Sequence, residues 1–136
     1  MYGNKETKIL VVDDEPDTRM FLSNLLHSDG FCPITAENKT EGFRKAVEEK
    51  PAVIILSMML PGEAGFHMYR HLKRDEQLKN IPVIMLSTID KDTFLKCHNI
   101  YGQTICEEAA AFDKYIEKPP EADEFLITVR ELSSLR

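Results

Sequence analysis

The chain has 136 residues, 43% hydrophobic and 29% charged, with a net charge of −6. That length suits one globular domain with a real core, the balance argues against disorder, and the acidic excess disfavours nucleic acid, whose phosphates need clustered Lys and Arg. No apolar run approaches the roughly 20 residues of a membrane span, and no signal-peptide segment precedes the first predicted strand, so no membrane partner is expected.

Residues 8–12, Lys-Ile-Leu-Val-Val, are a β-branched run that ends in Asp13-Asp14-Glu15. Pro16 suits the first turn of a helix, where its missing N–H costs nothing. Met20, Phe21, Leu22, Leu25 and Leu26 recur at helical spacing, and Gly30 is a stop signal. Residues 31–36 read as a second strand. Residues 40–50 read as a helix with Phe43, Ala46 and Val47 inward. The third strand, 52–56, is apolar without alternation, as in a parallel sheet covered on both faces. A loop over Pro61-Gly62-Glu63-Ala64-Gly65 leads to a helix over 66–78. Residues 82–86 form a fourth buried strand, with Pro82 at its start, where no ladder donor is needed. Residues 90–112 are ambiguous, mostly helical in composition but interrupted near Gly102. A fifth strand covers 114–117, and a final helix covers 122–135 with Phe125, Leu126, Val129 and Leu132 on one face.

Five β-α units in sequence imply an α/β fold, a doubly wound parallel sheet with right-handed crossovers and helices on both faces. In such sheets the working site lies at the carboxyl ends of the strands. Asp13-Asp14, Ser57, Ser87-Thr88 and Lys118 therefore gather at one end. A single domain over 1–136, with its core at about 8–135 and no effector domain, is the expectation.

Other residues have plainer readings. Arg70-His71-Leu72-Lys73-Arg74 runs straight into Asp75-Glu76 and reads as a solvated helix face. His67 and His71 lie four apart on the same helix, and a solvated face outweighs a metal site. The six methionines, among them Met58, Met59 and Met85, read as core filler. Cys32, Cys97 and Cys106 cannot all pair internally, which points to a reduced cytoplasmic setting. Cys97-His98 and Cys106 match no usual zinc spacing.

Taken in order, each at a strand end, Asp13-Asp14, the segment around Ser57, Ser87-Thr88 and Lys118-Pro119 resemble the CheY-like receiver domain of two-component response regulators. The resemblance covers about 8–135. It implies the flavodoxin-like strand order 2-1-3-4-5 and a phosphorelay role. Asp13 and Asp14 would hold Mg²⁺, Asp14 directly and Asp13 through water, with the Met59 backbone carbonyl as a further ligand. Ser87 would bond the phosphoryl group, with Thr88 beside it. Lys118 would pair with the acceptor, ahead of a Pro119 bond often made cis. Tyr115 would be the aromatic that rotates inward on activation.

Two departures stand out. Where the family carries its phosphoacceptor aspartate, this chain carries Ser57. The stretch from Ser87 to Lys118 is longer than the family norm by about two helical turns, with the extra length around 96–108. It borders the family's helix 4–strand 5–helix 5 face, which serves dimerisation and partner contact. A serine hydroxyl is a poor acceptor without a general base beside it. Losing a carboxylate also weakens Mg²⁺ binding and leaves Lys118 to lean on Asp13 or Asp14.

The leading expectation is therefore a non-enzymatic pseudo-receiver that works by phosphorylation-independent protein contact, with a histidine kinase or a second copy as partner. The alternative is an ordinary Asp-phosphorylated receiver into which serine has been engineered at position 57. An enzyme site lacks a His base or cofactor fingerprint, and modification of Ser57 by a serine kinase is the remaining minor reading.

Overall fold

A computed structural model describes residues 7–89 and 114–134. Five parallel strands stand in the order β2-β1-β3-β4-β5. They are β1 (Lys8–Val12), β2 (Cys32–Ala36), β3 (Val53–Ser57), β4 (Val83–Ser87) and β5 (Lys114–Glu117). The expected doubly wound, flavodoxin-like arrangement is the one observed.

The central strands β1, β3 and β4 are buried on both faces, which is why they read as unbroken apolar runs. Leu10, Val12, Ile54, Leu56, Val83 and Met85 point to one side, where Ala46, Met68, Tyr69 and Leu72 cover them. Their neighbours Ile9, Val11, Val53, Ile55, Ile84 and Leu86 point to the other, under Leu22, Leu26, Phe125, Val129 and Leu132. The edge strand β2 is guarded locally. Cys32 donates its N–H inward to Thr7 at 2.9 Å, so alternation turns Pro33, which has no N–H, toward the open edge.

The helices are α1 (Pro16–Ser28), α2 (Lys39–Glu49), α3 (Ala64–Arg74) and a last helix, Ala122–Ser133. Several expectations shift. Met20 and Phe21 are 66% and 45% exposed, while Leu22 and Leu26 are buried; successive residues turn about 100° apart, so three in a row cannot share one face. On α2 Gly42 and Ala46 are buried and Phe43 packs against the core as expected, while Val47 is exposed. A Cβ at Gly42 would stand 3.0 Å from Met68 Cε and Val12 Cγ2, so α2 lies on its small residues.

The loop after β3 is a short 3-10 turn, Pro61–Glu63, and α3 starts at Ala64 rather than Phe66. It also stops before Leu78. Asp75 Oδ1 accepts the N–H groups of Gln77 at 2.8 Å and Leu78 at 3.2 Å, a local turn that competes with helical bonding. Lys73 does not stay on a solvated face; its Nζ donates to the carbonyls of Lys79 and Ile81. His71 is exposed but stacks on Phe43 of α2, with ring centroids 3.9 Å apart. Among the described residues no helix is long and apolar enough to cross a membrane. The ambiguous 90–112 segment, the extra length at 96–108, Cys97, His98 and Cys106 lie outside the described residues.

Candidate functional site

The site is built from the residues that close or follow the strands. Asp13 leaves β1 fully buried, its N–H donating to Ala36 at 3.0 Å. Its two carboxylate oxygens are both engaged. Oδ1 accepts the Glu15 N–H at 2.9 Å, and Oδ2 accepts Lys118 Nζ at 2.6 Å. The first bond folds the chain back so that Glu15 takes the N-cap position of α1, its carbonyl accepting the Arg19 N–H at 3.1 Å, with Pro16 as the first helical residue. Glu15 Oε1 then takes a second bond from Lys118 Nζ at 3.1 Å.

Lys118 is fixed at its backbone as well, donating its N–H to the Ser87 carbonyl at 2.7 Å ahead of a cis Lys118–Pro119 bond. Its side chain is 7% exposed. Burial pulls the ammonium toward neutrality, but the bonds and charges of Asp13 and Glu15 outweigh that and raise its pKa. The lysine is a permanent cation holding two acids together.

Ser57 closes β3 with no exposed surface, and its hydroxyl oxygen accepts the Met59 N–H at 3.1 Å. Gly65 makes room behind it, since a Cβ there would stand 2.4 Å from the Ser57 carbonyl oxygen. Ser87 closes β4, also buried. Its hydroxyl donates to Met59 Sδ at 3.7 Å and accepts the Ile89 N–H at 3.0 Å. Tyr115 is half-buried against the α2–α3 side of the core, and its hydroxyl donates to the Ile89 carbonyl at 2.5 Å. Thr88 is exposed.

Asp13, Glu15 and Lys118 thus form one ion-paired group, and Met59, Ser87, Ile89 and Tyr115 form one bonded chain. Sequence reasoning expected Lys118 to turn to Asp13 or Asp14; it turns to Asp13, while Asp14 is exposed. Glu15 was missed as a partner, although an Asp two residues ahead of it and a Pro just after it signal this turn. Arg19 was missed too, and its Nη1 donates to the Asp13 carbonyl at 2.7 Å. Met59 is not core filler, being 44% exposed.

One carboxylate oxygen from each of Asp13, Asp14 and Glu15 lies within 4.8 Å of the others. The response regulator receiver domain family matches residues 9–130. This chain belongs to the response regulator receiver family.

As a receiver it is similar to protein PilH of Pseudomonas aeruginosa, 33% identical over 122 residues, 90% of this chain and 93% of PilH. The phosphate regulon transcriptional regulatory protein PhoB of that organism is 36% identical over 111 residues, which span 82% of this chain but 44% of PhoB. Among solved structures, the Vibrio cholerae chemotaxis protein CheY4 superposes with a TM-score of 0.77 at 25% identity, covering 93% of this chain and 98% of CheY4. Receivers are signalling modules that bind Mg²⁺ in an acidic pocket. The three carboxylates here offer the hard oxygen donors that ion takes, but Asp13 is already shared with Lys118.

Proposed function

We propose that this receiver signals by protein contact without accepting a phosphoryl group, in a cytoplasmic two-component pathway. The observation that carries this reading is the state of the pocket: a buried serine hydroxyl stands at position 57, accepting the Met59 N–H, and Lys118 is committed to Asp13 and Glu15. A hydroxyl at this position ionises far above neutral pH. Asp13 and Glu15 are paired with Lys118 and Asp14 is exposed, so among the described residues no base is seen placed to activate it. A phosphoserine would also be a stable ester, unlike the labile acyl phosphate an aspartate forms.

Mg²⁺ would be held by Asp14, Asp13 and the Met59 carbonyl, with Glu15 as a further donor. The ion would supply charge neutralisation for phosphoryl oxygens. Without a carboxylate at position 57 it binds weakly. The contact surface is the side bordered by β5 and the last helix, where Lys114, Glu117 and Ile127 are exposed; this is the part of the family's partner face that the described residues include. The occupant is a histidine kinase or a second copy of the chain.

The completeness of the rest of the pocket favours a second reading, an ordinary receiver in which serine replaces a native aspartate. One experiment addresses both: intact mass after incubation with acetyl phosphate and Mg²⁺, beside Ser57→Asp. The native chain should gain no phosphoryl mass. If Ser57→Asp gains one, Ser57 alone blocks an otherwise competent site. If the native chain itself is phosphorylated at Ser57, the proposal fails.

A further inference from the structure

Met59 stands apart from the other described methionines in what its sulfur touches. Met58, Met68 and Met85 are 6%, 0% and 0% exposed and serve the core, and Met20 is 66% exposed on α1. Met59 is 44% exposed, yet its Sδ accepts a bond from the hydroxyl of the fully buried Ser87. It is at once open to solvent-borne reagents and in contact with the interior.

The contact does not end at Ser87. The same hydroxyl accepts the Ile89 N–H, and the Ile89 carbonyl accepts the Tyr115 hydroxyl. One side chain at the mouth of the pocket is therefore linked, through a single serine, to the loop after β4 and to the aromatic ring on β5. A thioether is a weak acceptor, so this first link is the weak one. A sulfoxide oxygen carries a large negative partial charge and accepts strongly.

We propose that Met59 is a reversible oxidation site, and that its sulfoxide tightens the Ser87–Ile89–Tyr115 chain. The oxidant is a peroxide. Its O–O bond breaks, one oxygen bonds to Sδ, and two electrons pass from sulfur to the peroxide. The other oxygen leaves as water with both peroxide protons. A dithiol-dependent sulfoxide reductase reverses the step, removing the oxygen as water while its two thiols close to a disulfide. The proposal is independent of whether position 57 is ever phosphorylated.

The test uses the full chain as Met20→Leu, treated with hydrogen peroxide and then with dithiothreitol to restore the cysteines. Peptide mapping gives the sites, and amide NMR gives the response. Met59 should oxidise about tenfold faster than Met68 and Met85, because access controls the rate. The amide signals of Ser87 and Ile89 should move, the Ile89 amide should exchange more slowly, and sulfoxide reductase should restore both. Met59→Leu, treated alike, should show no change at Ile89. The proposal is overturned if Met59 reacts no faster than the buried methionines, or if its sulfoxide leaves Ser87 and Ile89 unmoved. It is equally overturned if Met59→Leu still responds at Ile89.

Discussion

Gly65 sets how closely α3 can approach the end of β3, and so where Ser57 sits. Replacing a helical glycine by alanine ordinarily stabilises by about 1 kcal/mol through propensity. Here the new Cβ would meet the Ser57 carbonyl oxygen at 2.4 Å and Met58 Cα at 2.9 Å. Both are backbone atoms and cannot swing aside, so overpacking outweighs propensity. Gly65→Ala should destabilise by about 1–3 kcal/mol, read as a lowered urea midpoint. A midpoint at or above the native one would show that α3 moves freely relative to Ser57. At this scale the sequence was a partial guide. Asp13, Ser57, Ser87 and Lys118 were legible because each closes or follows a strand. The roles of Glu15 and Met59 were not, because a turn of three residues and a thioether contact from a loop to the end of β4 leave no periodicity to read.

At the scale of elements, α1 ends against the rules of helix electrostatics. Its C-cap is Asp29, an acid where the helix end favours a base, before Gly30 turns the chain at φ 92°. The last helix supplies the remedy. Arg130 Nε and Nη2 each bond a carboxylate oxygen of Asp29 at 2.8 Å, a two-pronged pair with Asp29 buried. The Arg130 hydrogen bonds, aided by its charge and opposed by burial, hold the Asp29 carboxyl below its usual pKa. A depressed acid stabilises the fold above its unfolded pKa, and that contribution is lost as pH falls through the folded value. Arg130→Ala should therefore cost about 1–3 kcal/mol at neutral pH, through lost pairing and a stranded buried carboxylate. The gap from the native protein should narrow as pH falls below the ordinary carboxylate range and close only below the depressed folded value, where Asp29 is protonated in both. A gap unchanged between those conditions would assign the loss to packing of the arginine stem instead. No pattern in the sequence joins residues 29 and 130. Helix faces could be read from spacing, as for Phe125, Val129 and Leu132, but a clamp between two helix ends is a product of the fold.

For the whole molecule, the question is how the stability of the fold is coupled to the pocket. The sheet gathers three acids and one lysine at its carboxyl end, and the chain as a whole carries a net charge of −6. Adding a carboxylate at position 57 would bury one more negative charge beside Asp13, where Lys118 is already shared with Glu15. In the absence of a divalent ion, Ser57→Asp should lower stability by about 1–3 kcal/mol through repulsion and desolvation. Mg²⁺ would then offset that charge, so stability in the variant becomes coupled to ion concentration, rising by RT ln(1 + [Mg²⁺]/Kd). The native chain lacks that carboxylate, and its urea midpoint should barely move over the same titration. The apparent Mg²⁺ affinity of Ser57→Asp should exceed the native one by at least about tenfold, or 1.4 kcal/mol. Diffuse attraction to an acidic surface acts equally on both proteins, so the difference between them isolates the pocket. Equal Mg²⁺ responses would mean that Asp14 and Glu15 suffice to hold the ion, and that serine at position 57 has not released this receiver from the cation.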